Sequence, residues 1–129
     1  MSTILITGAS GGLAQEIVKL LHQDQLILLG RNKEKLAQLY GNHPQAELIE
    51  IDITDAQALE ELVAELYQRY GKIDVLINNA GYGIFEDFDK ISDQDIHQMF
   101  EVNTFALMNL SRLLAARMKE IRKGHIINI

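Results

Sequence analysis

The segment Thr7-Gly8-Ala9-Ser10-Gly11-Gly12-Leu13-Ala14 decides the fold of this chain. It follows the apolar run Ile4-Leu5-Ile6 and precedes apolar residues at helical spacing, so a buried strand turns sharply into a helix. Glycine permits such a turn and lets the backbone approach a bulky ligand closely. The first amides of the helix have no partner within it and lie at the positive end of its dipole. The segment therefore predicts an anion-binding turn, with an ordinary tight turn as the alternative.

The composition indicates one acidic domain. The 129 residues suffice for one domain but not comfortably for two, and 47% hydrophobic residues predict a substantial core. The formal net charge of -6 argues against a nucleic-acid or anionic-membrane partner. There is no cysteine, the four histidines lack metal-ligand spacing, and no apolar run approaches the roughly 20 residues of a membrane span. The start of the chain lacks the basic segment of a signal peptide, so we expect a cytoplasmic protein that binds no metal.

Short apolar runs alternate with helical patterns along the chain, which is typical of a parallel sheet with crossover helices. Strands are predicted at Thr3–Thr7, Gln25–Leu29, Glu47–Ile51, Ile73–Asn78 and His125–Ile129. Helices are predicted at Gly11–Gln23, at Lys33–Tyr40, from a capping box at Thr54–Gln57 to Gly71, and at Asp93–Arg122. Right-handed crossovers give the strand order 3-2-1-4-5. Winding then reverses between strands 1 and 4, where ligands bind in such sheets, and the glycine segment lies at this reversal.

Two helices carry apolar stripes that predict which face packs on the sheet. In the first helix the stripe consists of Leu13, Ile17, Leu20 and Leu21. In the long last helix it consists of Ile96, Phe100, Asn103, Leu107, Leu110 and Leu114. A buried amide without a partner costs about 1–3 kcal/mol, so Asn103 must bond to backbone, water or ligand. Further apolar residues of this helix lie off the stripe and indicate an oligomer contact.

A cation, Arg31, follows the end of the second predicted strand. An acidic residue usually stands here and binds the ribose 2′-hydroxyl of NAD, but Leu28-Leu29-Gly30-Arg31-Asn32 contains no carboxylate. A guanidinium pairs well with a phosphate. Arg31 and its neighbour Asn32 therefore favour NADP(H) over NAD(H), and a plain surface arginine is the alternative.

Polar residues also follow the third and fourth strands. Asp52 lies on the same rim and could accept a hydrogen bond from an adenine amino group, although an aspartate that merely starts a loop fits equally well. Asn78-Asn79-Ala80-Gly81 would line the crevice and order the backbone near a cofactor. A turn signal explains Asn-Ala-Gly, but it leaves unexplained why the apolar strand ends in two asparagines.

In order and spacing, these motifs resemble the short-chain dehydrogenases/reductases over the whole chain. The residues that carry the resemblance are Thr7–Ala14, Asp52-Ile53, Asn78–Gly81, Asn103 and Gly124–Ile129. The resemblance implies a Rossmann-type, doubly wound α/β sheet and hydride transfer between NAD(P)(H) and a carbonyl or alcohol. It implies cofactor contacts from Gly8, Ser10, Gly11, Gly12, Leu13, Asp52, Ile53, Asn79, Ala80 and Gly81. Arg31 matches a position where a basic residue accompanies NADP, and Asn103 matches the asparagine that supports a proton-relay water in the catalytic tetrad.

The chain departs from the family pattern in two places. Ala14 replaces a usual third glycine, from which we expect looser helix packing but not loss of binding. The serine and the Tyr-x-x-x-Lys motif of the family are not found within residues 1–129. We therefore expect the N-terminal half of a longer single-domain enzyme, inactive by itself. The alternative is a non-catalytic dinucleotide-binding or interaction module.

A half-domain of this kind predicts exposed apolar surface. Strands 4 and 5 would have one bare face, exposing the side chains of Val75, Leu76, Ile77, Ile126, Ile127 and Ile129. Such a patch beside an unpaired edge invites association. We expect a homo-oligomer through helix 93–122 and this edge, and a polypeptide 1–129 that is not a stable monomer.

Overall fold

Five short apolar runs form one parallel sheet in the order β3-β2-β1-β4-β5 in the computed structural model, which describes all 129 residues. The strands are β1 (Thr3–Ile6), β2 (Gln25–Gly30), β3 (Ala46–Glu50), β4 (Val75–Asn78) and β5 (His125–Asn128). Leu5 of β1 lies between Ile27 of β2 and Leu76 of β4. The predicted order is confirmed, and the winding reverses between β1 and β4.

Five helices connect the strands. They are α1 (Gly12–Leu20), α2 (Lys33–Tyr40), α3 (Ala56–Tyr70), α4 (Asp93–Phe100) and α5 (Ala106–Ile121). Asn32 caps α2 by accepting the Lys35 amide at 3.1 Å, and Ser92 caps α4 by accepting the Asp95 amide at 3.0 Å. Both caps were predicted by the sequence. The structure contains no helix with the length and apolar character needed to cross a membrane.

The capping box predicted for α3 is wrong. Asp55 caps this helix, and its carboxylate accepts the Ala58 amide at 3.1 Å. The Thr54 hydroxyl instead donates to Asp52 at 2.7 Å. Because Asp52, two residues beyond β3, accepts the Thr54 hydroxyl, Asp55 caps the helix in place of Thr54, and the helix begins one residue later than predicted.

Alternate residues of β1, β2 and β4 face two separate cores. Leu5, Ile27 and Leu76 pack against α3 and α5, and Ile4, Ile6 and Ile77 pack against α1 and α2. The predicted exposure of Leu76 and Ile77 is therefore wrong, because helices already cover β4 on both faces. The exposed apolar residues Ile127 and Ile129 lie on and just beyond β5, as expected from the sequence.

The apolar stripe predicted for α1 is rotated relative to the observed buried face. Ala14 and Val18 are buried, with Ile17 and Leu21 packed beside them. Leu20 is 81% exposed. The small side chain of Ala14 permits close contact with the sheet directly after the glycine turn, so the helix turns its smaller residues inward.

The long last helix is continuous but contains a π-helical turn at Glu101–Phe105, between α4 and α5. From Val102 within this turn onward, the buried residues recur every fourth position, at Val102, Ala106, Leu110, Leu114 and Met118. Asn103 is exposed, so its predicted place on the sheet-facing stripe is wrong. The wider turn changes the phase of the helix, so Val102 is buried and lines the cleft instead.

Candidate functional site

The carboxyl ends of β1 to β4 surround a cleft of about 410 Å³. Segments far apart in the sequence meet there because parallel strands end at the same edge of the sheet. The predicted site residues that line the cleft are Gly8, Ser10, Gly11, Arg31, Asp52, Ile53, Asn79, Ala80 and Gly81.

A buried threonine joins β1 to β4 at the base of this cleft. The hydroxyl of Thr7 accepts the backbone amides of Asn79 and Ala80 at 3.0 and 2.9 Å. The Asn79 side chain in turn donates to the Gly8 carbonyl at 3.1 Å. Gly8 has φ +61°, and a Cβ at this position would lie 2.7 Å from the Ala80 Cα. The two strand ends therefore approach so closely that only glycine fits.

The glycine turn uses some of its amides internally and leaves others free. The Ala9 amide donates to the Leu29 carbonyl at 2.9 Å, and the Gly11 amide donates to the Gly8 carbonyl at 3.1 Å. The amides of Ser10, Gly12 and Leu13 have no acceptor in the protein. A Cβ at Gly12 would meet no protein atom within 4 Å. Gly12 and Leu13 do not line the cleft, but their free amides open α1 beside it and can hold an anion.

A cation and a carboxylate line the cleft just beyond the ends of β2 and β3. Arg31 is exposed and forms no ion pair with any residue of the chain. Asp52 accepts the Thr54 amide at 3.0 Å and the Thr54 hydroxyl at 2.7 Å with the same oxygen. These two bonds, assisted by the charge of Arg31, hold the pKa of Asp52 below its usual range. Asp52 is therefore an ionised acceptor with one oxygen still free.

Asn32 lies outside the cleft lining, because its side-chain oxygen caps α2. Sequence reasoning also missed part of the wall. The missed lining residues are Leu29, Gly30, Ile51, Tyr82, Gln98 and Val102. Leu29 and Ile51 are the last residues of predicted strands and Gly30 follows one, so these three could have been found by including the strand ends in the site. Gln98 and Val102, spaced by four on the last helix, depend on the helix phase that the π-helical turn alters.

Asn103 does not line the cleft but holds a residue that does. Its Oδ1 accepts the Tyr82 amide at 2.9 Å, and its Nδ2 donates to the Tyr82 carbonyl at 2.7 Å. A Cβ at Gly81 would lie 3.0 Å from the Asn103 Oδ1. The π-helical turn presents the asparagine to this loop, and such turns often occur at functional sites.

The structure explains the paired asparagines at the end of β4. The buried Asn78 donates through Nδ2 to Ser111 Oγ at 3.0 Å and to Asn128 Oδ1 at 2.9 Å. Asn78 therefore ties β4 to α5 and β5, whereas Asn79 ties β4 to the glycine turn. The side-chain amides of Asn78 and Asn79 therefore connect β4 to different elements, which a turn signal alone does not explain.

Comparisons with known proteins agree on one family. The model of the short chain dehydrogenase family matches residues 2–129. The ketoacyl reductase HetN of Nostoc sp. is 37% identical over 133 residues, which cover 98% of this chain and 46% of that protein. A short-chain dehydrogenase from Streptomyces avermitilis superposes with a TM-score of 0.91 at 32% identity, over 98% of this chain and 48% of that one.

A metagenomic short-chain oxidoreductase solved in complex with NADP superposes with a TM-score of 0.89 at 28% identity, over 98% of this chain and 61% of that one. The chain spans about half the length of the curated relatives it matches. Because the family model matches nearly the whole chain, and the sheet order and neighbouring structures agree with it, the chain belongs to the short-chain dehydrogenase family.

Proposed function

We propose that the cleft binds NADP(H), and that the chain is the cofactor-binding part of an oxidoreductase acting on a carbonyl or alcohol. The observation that carries this proposal is the pairing of two anion-binding features on one cleft. Free amides open α1 beside the cleft, and Arg31, which forms no ion pair, lines the cleft just beyond β2. A dinucleotide with a 2′-phosphate presents anions to both.

The residues of the cleft fit such a cofactor. In this proposal the turn formed by Gly8, Ser10, Gly11, Gly12 and Leu13 holds the pyrophosphate. The absence of any protein atom near a Cβ at Gly12 leaves room for a phosphate there. Arg31, with Asn32 as its neighbour at the start of α2, binds the 2′-phosphate. NAD is the less favoured ligand because no carboxylate ends β2.

The adenine and nicotinamide ends are assigned to the remaining strand ends. Asp52 accepts the adenine amino group with its free oxygen, and Ile53 packs against the ring. Asn79, Ala80 and Gly81 form the wall behind the ribose and nicotinamide. This wall is rigid because Thr7 holds two of its amides.

When bound, the nicotinamide ring supplies or accepts a hydride at C4. The residues of this chain bind and orient the cofactor. We assign Asn103 to the catalytic machinery as the support of a proton-relay water. This role requires that the bonds between Asn103 and the Tyr82 backbone keep the helix and the loop in fixed positions. Tyr40, Tyr67 and Tyr70 do not line the cleft, so in this proposal none of them is the proton donor to the substrate.

We also propose that the protein associates with itself through the outer face of its last helix. Phe105 and Met108 are 53% and 58% exposed there, and Phe100 lies nearby on the same helix. Contiguous exposed apolar patches mark protein contact surfaces, which supports this proposal. Ile127 and Ile129, on and just beyond the edge strand β5, are also exposed and would add to this self-association.

Equilibrium titration of the protein that contains this chain, followed by the fluorescence of the reduced nicotinamide, tests the proposal. NADPH should bind more tightly than NADH, and a carbonyl compound should oxidise the bound NADPH. Equal affinity for the two cofactors contradicts the assignment of Arg31. Binding of NADPH without any turnover favours the non-catalytic module, and binding of neither contradicts both functions.

A further inference from the structure

Tyr40 of α2 bonds to the glycine turn from outside the cleft. Tyr40 is only 7% exposed, and its hydroxyl donates to the Ala9 carbonyl at 2.6 Å, across 31 residues of sequence. Burial raises the pKa of this hydroxyl, so it remains a protonated donor throughout the physiological range. A buried hydroxyl needs an acceptor, but here the acceptor belongs to the turn that the proposed phosphate site is built from.

The peptide group that Tyr40 holds also carries one of the free donors. The Ala9 carbonyl and the Ser10 amide belong to one trans peptide, in which the carbonyl and the N–H point in opposite directions. The Ser10 amide has no acceptor in the protein, and Ser10 lines the cleft whereas Tyr40 does not. Tyr40 holds the Ala9 carbonyl on the side of α2. The N–H of Ser10, in the same peptide group, therefore points away from α2.

The other carbonyls of the turn are held as well. The Gly8 carbonyl accepts from Gly11 and from Asn79, and the Ser10 carbonyl accepts from the Gln15 side chain at 3.3 Å. The Ala9 carbonyl has Tyr40 as its one partner. Loss of this hydroxyl would therefore free a single peptide group while the rest of the turn stays bonded.

We propose that Tyr40 is a positioning residue for the phosphate cradle, because its hydrogen bond to the Ala9 carbonyl aims the Ser10 amide at a cofactor phosphate in the cleft. This inference rests on the proposed NADP(H) site. Tyr40 does not touch the cofactor and acts only through the orientation of the Ala9–Ser10 peptide.

Tyr40→Phe tests the inference, since it removes the hydroxyl and keeps the ring that packs in the core. Two ligands are titrated into the protein that contains this chain. NADPH carries the pyrophosphate, whereas adenosine 2′-monophosphate carries the adenine, ribose and 2′-phosphate without it. Tyr40→Phe should raise the Kd of NADPH about three- to tenfold, the range for one lost hydrogen bond, and leave the Kd of adenosine 2′-monophosphate within twofold.

Tyr70→Phe is the matched control, because the Tyr70 hydroxyl donates to Glu47, away from the glycine turn. It should change neither Kd. Equal losses for both ligands in Tyr40→Phe would reveal a merely structural role and overturn the inference, as would unchanged binding of NADPH. A wild-type protein that binds neither ligand contradicts the proposed function itself.

A measurement on the wild-type protein covers the case in which Tyr40→Phe does not fold. The Ser10 amide proton is followed by NMR during titration with each ligand. NADPH should shift this resonance downfield through a bond to phosphate, and adenosine 2′-monophosphate should leave it in place. A Ser10 amide that does not respond to NADPH overturns the inference.

Discussion

The side chain of Asn103 bonds to both backbone polar groups of Tyr82, at 2.9 Å to the amide and 2.7 Å to the carbonyl. This pair joins the π-helical turn to the loop that follows β4, across 21 residues of sequence. Tyr82 lines the cleft next to the wall formed by Asn79, Ala80 and Gly81. One asparagine thus couples the helix that follows the cleft to the loop that borders it.

Asn103→Leu should lower kcat about tenfold or more in the active protein and change the Kd of NADPH little. The substitution removes both bonds to Tyr82, and small displacements of reacting groups cost large factors in rate. Steady-state kinetics with a separate cofactor titration measure the two effects. Asn109→Leu is the control, because Asn109 bonds only to Arg112 on the surface of α5. A kcat that stays at the wild-type value would leave Asn103 a structural residue.

Arg31→Ala should weaken the binding of NADPH by a factor on the order of 10 to 100, the range for a lost hydrogen bond to a charged group. The affinity for NADH should change much less, because NADH has no 2′-phosphate. Lys35→Ala removes a nearby exposed cation of α2 that does not line the cleft, and it should spare both affinities. Equal losses for the two cofactors after Arg31→Ala would refute the assignment.

Local signals predicted some elements well. The sequence placed α2 at Lys33–Tyr40, as observed, because Asn32 supplies a side-chain cap and Gly41 ends the helix. Strand ends are marked where an apolar run meets glycine, asparagine or aspartate, so the cleft residues that follow those ends could also be predicted.

Helix phase could not be predicted in the same way. In α1 the stripe through Leu13 and Leu20 and the one through Ala14 and Val18 both have helical spacing. Hydrophobicity favours the leucines, but the closeness of helix and sheet after the glycine turn favours the small residues. In the last helix a regular period places Asn103 inward, whereas one i→i+5 turn, which no local residue signals, places Val102 there.

Gly8→Ala should destabilise the protein by about 2–5 kcal/mol, since it combines a left-handed backbone with a clash against Ala80. Gly12→Ala should instead keep the stability within about 1 kcal/mol of wild type, because its Cβ meets open space at the start of a helix. Urea unfolding measures both. Gly12→Ala should still weaken NADPH binding by crowding the phosphate, and similar stabilities for the two variants would contradict the geometry of the turn.

Glu47→Gln should make stability less sensitive to acid. Glu47 of β3 accepts both guanidinium nitrogens of Arg69, at 2.6 and 2.7 Å, and the hydroxyl of Tyr70. The bonds to Arg69 above all hold the pKa of Glu47 below its ordinary value of 4.5. A lowered pKa in the folded state stabilises the fold above that ordinary value, and the contribution is lost as the pH falls through the folded pKa.

The free energy of unfolding, measured in urea between about pH 5 and pH 3, should therefore fall less steeply for Glu47→Gln than for the wild type. Glu60→Gln is the control, because Glu60 is an exposed carboxylate of α3 that forms no ion pair. Its profile should follow that of the wild type. Parallel profiles for all three proteins would show that the link between β3 and α3 does not contribute to acid sensitivity.

The polypeptide 1–129 should sediment as a mixture of species larger than a monomer. Apolar side chains are exposed to water at Phe105 and Met108 on the last helix and at Ile127 on β5. Exposed apolar surface of this kind favours association. Replacing Phe105 and Met108 together by glutamate should move the distribution toward the monomer. Leu20→Glu replaces an even more exposed apolar residue, on α1, and should have no such effect, because Leu20 is not part of the last helix. A wild-type polypeptide that sediments as a stable monomer and melts cooperatively would refute the proposed contact surface.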